Sequence, residues 1–286
     1  MNSKDMNGEN IIYHYIQKTL LEDKESAEFR DELIERLIID LSIWFPPDVY
    51  NQIPILLPFV VRDASCRSKQ KNSTKDEWGT SNEFGFLRDD NSLIKGIIKS
   101  FIVDSRRVAD YNNNKLANGF VASHIWRKLK KDQDKLASTI EKTNSFIPNI
   151  VWLPKQISKL TDREGSYAQN LLKTISYKVY FDTNNLSEFK KEIWDKLDNP
   201  EIVTKRNINI SELNYFRPPD NWIDKRKKTL LKEMEMIKLA IVSNTINEKV
   251  KCSSYLPTLL TKTSDTEKQN LIKWLNKNIA EIENNC

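Results

Sequence analysis

The chain has 286 residues, 45 of them basic and 40 acidic, for a formal net charge of +5. Aromatic residues make up 9% and include seven Trp, which excludes a disordered chain, and the length suffices to bury a full core. Three cysteines (Cys66, Cys252, Cys286) stand far apart with no C-x-x-C pair, and two histidines are too few for a His-rich zinc site, so neither a disulfide framework nor a structural zinc is expected.

Six glycines allow few tight hairpins, so helices should dominate. The longest apolar stretch, Ile53 to Val61, contains Pro54 and Pro58 and falls well short of the ~18 residues of a membrane span. The N-terminal MNSKDMNGEN lacks the apolar core of a signal peptide. These features predict a soluble, cytoplasmic protein without a membrane partner.

Taken in order, Ile11, Ile12, Tyr15, Ile16 and Leu20 give a helical stripe over Asn10 to Leu21, with His14 a helix-surface or core-edge residue. A second stripe (Phe29, Leu33, Leu37, Ile38, Leu41, Trp44) predicts a helix from Ser26 to Phe45, stopped by Pro46 and Pro47. Pro47 to Val61 reads as a buried helix or an irregular crossing. Arg62 to Ser81 is a polar loop of basic bias, either solvated or ordering against phosphates. Asn91 to Val103 predicts a helix with Leu93, Ile94, Ile97, Ile98 and Phe101 inward, followed by the turn-rich YNNNK.

Beyond the centre, helices are expected over Arg163 to Phe181, after a Ser187 cap, over Asp220 to Val242 and from Ser264 or Asp265 to about Glu283. The helix from Asp220 opens on a dense basic run, Lys225 to Lys228. A short strand is expected in Ile208 to Leu213. The expected fold class is α+β, mostly α-helical, with a small mixed module embedded at the centre. Residues 1–110 form an N-terminal helical region, 111–182 the central module and 183–286 a C-terminal helical region, all packed as one globular unit.

The central module carries the chemistry. From Asn118 to Asp162 a short apolar strand ends on His124, a polar spacer follows, and a second apolar strand opens at Asn149 and runs into a basic helical segment. A histidine at a strand end can accept a proton from water near neutral pH. Hydrolysis of a phosphodiester also needs a divalent cation with oxygen ligands and basic side chains that hold the backbone. Arg127, Lys128, Lys130 and Lys131 follow His124, and Lys155, Lys159 and Arg163 follow the second strand.

With VASHIW as a first element and PNIVWLP as a second, 25 positions separating His124 from Asn149, this stretch resembles the ββα-metal, or HNH, nuclease module. It looks most like type II restriction endonucleases that carry the module inside a helical protein. The resemblance covers about 45 residues. It implies His124 as general base, Asn149 as the residue that braces the loop, and a magnesium-like cofactor. The family often has an acid or second histidine before the base, where this chain has Ser123. Nine positions past Asn149, where the family's metal ligand falls, stands Ser158. Ser158 and Asp162 are therefore the expected metal ligands, with Gln156 as a substitute.

The implied activity is hydrolysis of DNA by a site-specific endonuclease acting on double-stranded DNA. A palindromic target implies a two-fold homodimer. Two other readings use the same residues differently: a non-catalytic nucleic-acid-binding protein with a structural His124, and a helical interaction protein without a nucleic-acid role. Salt-sensitive DNA binding without cleavage selects the first of these; no binding at low salt selects the second. A rival Glu-x-Lys carboxylate site, Glu188 and Lys190 with Asp182 upstream, lies in a helical pattern that turns the two side chains apart. No phosphate-cradling glycine loop is present.

Overall fold

A computed structural model describes residues 24–62, 87–182, 186–201, 203–204, 208–245 and 264–284. His14, the first predicted helix, all three cysteines and most of the Arg62 to Ser81 loop lie outside the described residues. The fold is α+β. Its centre is a five-stranded mixed sheet in the order β4-β7-β1-β6-β5, built from β1 (Ile43–Trp44), β4 (Ile102–Asp104), β5 (Phe120–His124), β6 (Ile150–Pro154) and β7 (Asn214–Arg217). Only β1 and β7 run parallel. A separate parallel pair joins β2 (Val60–Arg62) to β3 (Leu87–Asp89). The main sheet thus draws strands from the N-terminal, central and C-terminal regions alike.

Burial explains the strand order. Ile150, Val151, Trp152 and Leu153 of β6 are all buried, as a continuous apolar run demands of a strand covered on both faces. Four of the five residues of β5 are only partly buried, as befits its place at the sheet edge. Opposed residues share a face, so Ala122 and His124 lie with Ile150 and Trp152, and Ser123 lies with Val151. On the His124 face, Trp152 packs edge-on against Phe45 and Phe216, Phe216 against Phe101, and Phe101 against Trp222. These contacts seat the start of α8 (Trp222–Ser243) there, and α3 (Ser92–Ile97), just before Phe101, packs against β5. On the opposite face Trp44 meets Tyr180 of α6 (Tyr167–Tyr180), which packs in turn on α1 (Lys24–Leu41).

Several predicted helices are shorter than their apolar stripes suggest. The helix predicted from Ser26 ends at Leu41 rather than Phe45, because Ile43, Trp44 and Phe45 are fully buried and Ile43 and Trp44 take sheet partners instead. Pro47 starts a six-residue helix, α2 (Pro47–Gln52), with proline at its first position, where the missing N–H costs nothing. The helix predicted from Asn91 stops at Ile97, and Ile102 to Asp104 pair with β7. The strand expected in Ile208 to Leu213 falls one step later, at Asn214–Arg217, and Ile210–Glu212 is a single 3-10 turn.

The cap predictions hold. Ser187 accepts a hydrogen bond from the Lys190 amide at the start of α7 (Glu188–Trp194). Ser264 and Glu267 exchange hydrogen bonds as a capping box before α9 (Asp265–Asn284). The apolar face of α9, Leu271, Trp274, Leu275, Ile279 and Ile282, is buried as predicted. No described helix is long and apolar enough to cross a membrane.

Candidate active site

His124 ends β5 directly opposite Ile150. The connecting segment, Ile125 to Asn149, folds back over the strand ends through the short helix α4 (Glu141–Asn144). Two side chains fix this fold-back. Asn149, fully buried, accepts a hydrogen bond from the Trp126 amide (2.7 Å) and donates to the Thr143 carbonyl (2.9 Å). Asn144 donates to the Val60 carbonyl (3.0 Å) and so ties the segment to β2. A four-residue helix cannot stand on its own hydrogen bonds, and these side chains supply the missing restraint.

The restraint sets the histidine. Its Nε2 lies 2.8 Å from the backbone carbonyl of Asn144. A carbonyl only accepts, so Nε2 carries the proton and Nδ1 keeps its lone pair. Partial burial, foremost, and the positive charge of Arg62 lower the His124 pKa to about 4, against the pull of the Asn144 carbonyl. The ring is therefore neutral at pH 7 and able to take a proton, at reduced basicity.

The unfolded chain protonates this histidine near 6.5 and the folded chain only near 4. Its neutral form contributes no penalty above about pH 6.5, and stability falls, by on the order of 2–3 kcal/mol, as pH drops from there to 4. Ring-proton NMR of the free protein should give a midpoint near 4 for His124; a midpoint near 6.5 would contradict this environment.

After β6, α5 (Lys155–Thr161) follows without a loop and packs back against both strands of the ribbon. Ser158 and Asp162 are four residues apart, and Asp162 keeps helical backbone angles, so they lie on one side of α5. Ser158 is buried and donates its hydroxyl hydrogen to the Lys155 carbonyl (2.8 Å), which leaves its oxygen lone pairs as acceptors. Asp162 and Gln156 are exposed. Beyond the helix, Gln169 donates to the Ile125 carbonyl (3.0 Å) and, more weakly, to Glu164 (3.4 Å). The segment after α5 is thereby returned to the strand end that carries His124.

The seven predicted DNA-contacting residues are uniform in one respect. Arg127, Lys128, Lys130, Lys131, Lys155, Lys159 and Arg163 are all exposed, and none forms an ion pair with another described residue. Other cations of this region are engaged. Lys142 of α4 and Lys277 of α9 both bind Glu192, whose carboxyl is held near a pKa of about 2 chiefly by the hydrogen bond from Lys142. This bridge anchors the segment that orients His124 to the C-terminal helix. A cleft of about 810 Å³ beside it, lined by Lys131, Lys142, Glu192 and Trp274 among others, does not include His124.

The rival Glu188 and Lys190 are turned apart as expected. The Glu188 side chain is 92% exposed, whereas Lys190 is buried, donates to the Asn51 carbonyl (3.0 Å) and faces Glu281 at 3.5 Å. Sequence reasoning missed Asn144, Arg62 and Gln169. Asn144 and Gln169 act at backbone carbonyls, which carry no residue-type signal, and Arg62 reaches His124 from a strand 62 positions earlier.

Among the described residues no three His, Cys, Asp or Glu side chains converge as a metal cluster. Magnesium needs fewer: one or two carboxylates, with water and substrate phosphate completing the shell. Asp162 and Ser158 fit that requirement in donor chemistry, an exposed carboxylate and a hydroxyl oxygen on one helix side. Comparison with protein families, with curated proteins and with solved structures finds no match for the chain.

Proposed function

We propose that the protein is a DNA endonuclease of the ββα-metal type, dependent on a divalent cation, and a site-specific enzyme of the type II restriction class. The observation that carries this reading is the orientation of His124: its Nε2–H is bound to the Asn144 carbonyl, in a segment braced by Asn149, while α5 packs on the ribbon from the α6 layer, opposite the His124 face. That arrangement presents Nδ1 as the acceptor for a proton from the attacking water. Asn149 holds the segment, and through it the Asn144 carbonyl, so the ring keeps one tautomer. Asp162 and Ser158 would hold Mg²⁺, which supplies charge stabilisation at the scissile phosphate. Arg127 to Lys131 and the Lys155, Lys159, Arg163 row hold the flanking phosphates. A palindromic target calls for a homodimer.

The lowered basicity of His124 and the inward-bonded Ser158 hydroxyl favour a second reading, a non-catalytic double-stranded-DNA-binding protein that uses the same basic residues. Incubation with mixed-sequence DNA and Mg²⁺ or Mn²⁺ separates the two. Discrete fragments that vanish with EDTA are the expected result. A smear retains the nuclease and removes the sequence specificity, and intact DNA transfers the assignment to the binding reading.

A further inference from the structure

The basic run that opens α8 divides into two classes. Arg226 and Lys227 turn inward: Arg226 donates to the Leu56 carbonyl (2.6 Å) and Lys227 to Gln52 (3.0 Å). Lys225, Lys228 and Lys232 recur at helical spacing on the outer face, are exposed, and pair with no described acid. Glu235, next on that face, is bound to Lys238. Lys95 in α3 and Lys99 just beyond it are likewise exposed and unpaired among the described residues. The Phe101 to Trp222 contact (4.8 Å) brings Lys99, two residues before Phe101, to the start of α8.

This surface has a defined place relative to the candidate active site. It covers the sheet face from which His124 projects, through the Trp152, Phe216, Phe101 and Trp222 stack. Alpha helix α8 is also joined to the base-orienting segment: Arg226 binds the Leu56 carbonyl, and the Leu56 amide donates to Ser145, next to Asn144. The first basic row, on α5, runs along the ribbon where that helix packs against α6. The two rows therefore belong to separate helical layers, and β5, the edge strand that ends on His124, packs against α5 of one and against α3, which carries Lys95, beside the other.

We infer that the outer face of α8, Lys225, Lys228 and Lys232, extended by Lys95 and Lys99, is a second contact for the phosphate backbone of double-stranded DNA. The inference rests on the DNA-nuclease reading for its ligand and deepens it. Five cations that pair with no described acid complement a polyanion, with the exposed Asp224 at the N-terminal edge of the row, and each phosphate contact releases counterions. Contacts of this kind set register and orientation and carry no sequence preference.

The test is fluorescence anisotropy of a labelled mixed-sequence duplex in EDTA over a series of salt concentrations. Wild type is compared with the triple variant Lys225→Gln, Lys228→Gln, Lys232→Gln. Loss of three contacts should make the slope of log K against log salt shallower by about 2–3, and Lys232→Gln alone by about 0.9. All three positions are exposed, so circular dichroism should be unchanged. Should the triple variant fail to fold, Lys232→Gln alone decides. An unchanged slope overturns the inference, as does a wild-type protein that does not bind. If wild type cleaves DNA while the variant keeps its slope, the surface falls and the nuclease stands. If the slope drops but no condition yields cleavage, the surface stands and the nuclease falls.

Discussion

Replacing His124 with alanine should lower the DNA cleavage rate by roughly 10²–10⁴-fold, the usual contribution of a positioned general base, and leave duplex affinity in EDTA unchanged. The side chain is half-buried and makes one hydrogen bond, to the Asn144 carbonyl. Its loss leaves that carbonyl short of a partner, at about 1–3 kcal/mol, which a folded domain withstands. Activity and fold therefore separate in this variant. A variant that cuts at the wild-type rate with Mg²⁺ would remove His124 from the chemistry. With His124 as the base, the acid limb of kcat/KM is expected near pH 4 rather than 6.5, a value a pH profile of cleavage reads directly. Bound phosphates would place the corresponding limb of kcat higher.

The second large effect belongs to Asn149→Ala. The change strands two backbone groups in a closed environment, the Trp126 amide and the Thr143 carbonyl, both on fully buried residues. At about 1–3 kcal/mol for each, the expected destabilisation is about 2–6 kcal/mol, against a total of about 5–15 kcal/mol for a typical domain. The denaturation midpoint in urea reads this directly. Cleavage should fall further than the unfolded fraction explains, because the Asn144 carbonyl is released as well. A loss of less than about 1 kcal/mol would mean that the segment is held by something other than Asn149.

The two residues differ in how they announced themselves. Asn149 was legible because an asparagine before an apolar strand, at a set distance from a strand-end histidine, is a pattern of side-chain types. Its predicted work, bracing the loop, corresponds to hydrogen bonds to two backbone groups. Asn144 was not legible, since the atom that orients His124 is a main-chain oxygen that any residue supplies. The long helices were readable from their stripes, as Leu271 to Ile282 illustrate. Ile43, Trp44 and Phe45 continue a helical stripe in sequence but leave the helix in space, because local periodicity is a weaker term than burial against a sheet whose other strands lie far along the chain. Similarly, Ile102 and Val103 continue a helical pattern in sequence and are claimed by β7 in space.

Strand β1 holds one further consequence, which concerns the order of synthesis. It has two residues, and Ile43 pairs with Trp152 on one side and Asn214 on the other. A growing chain emerges N-terminus first, so β1 waits for more than a hundred residues before its first neighbour exists. It waits for some sixty more before its second neighbour, β7, is made. Until β7 leaves the ribosome, one edge of β1 has no native partner and the sheet cannot close. The histidine ribbon, β5 and β6, is local and can pair early, but its anchorage to the rest of the sheet runs through β1. The central segment is therefore not a portable unit: a chain cut short before Asn214 lacks the strand that completes the support beneath it.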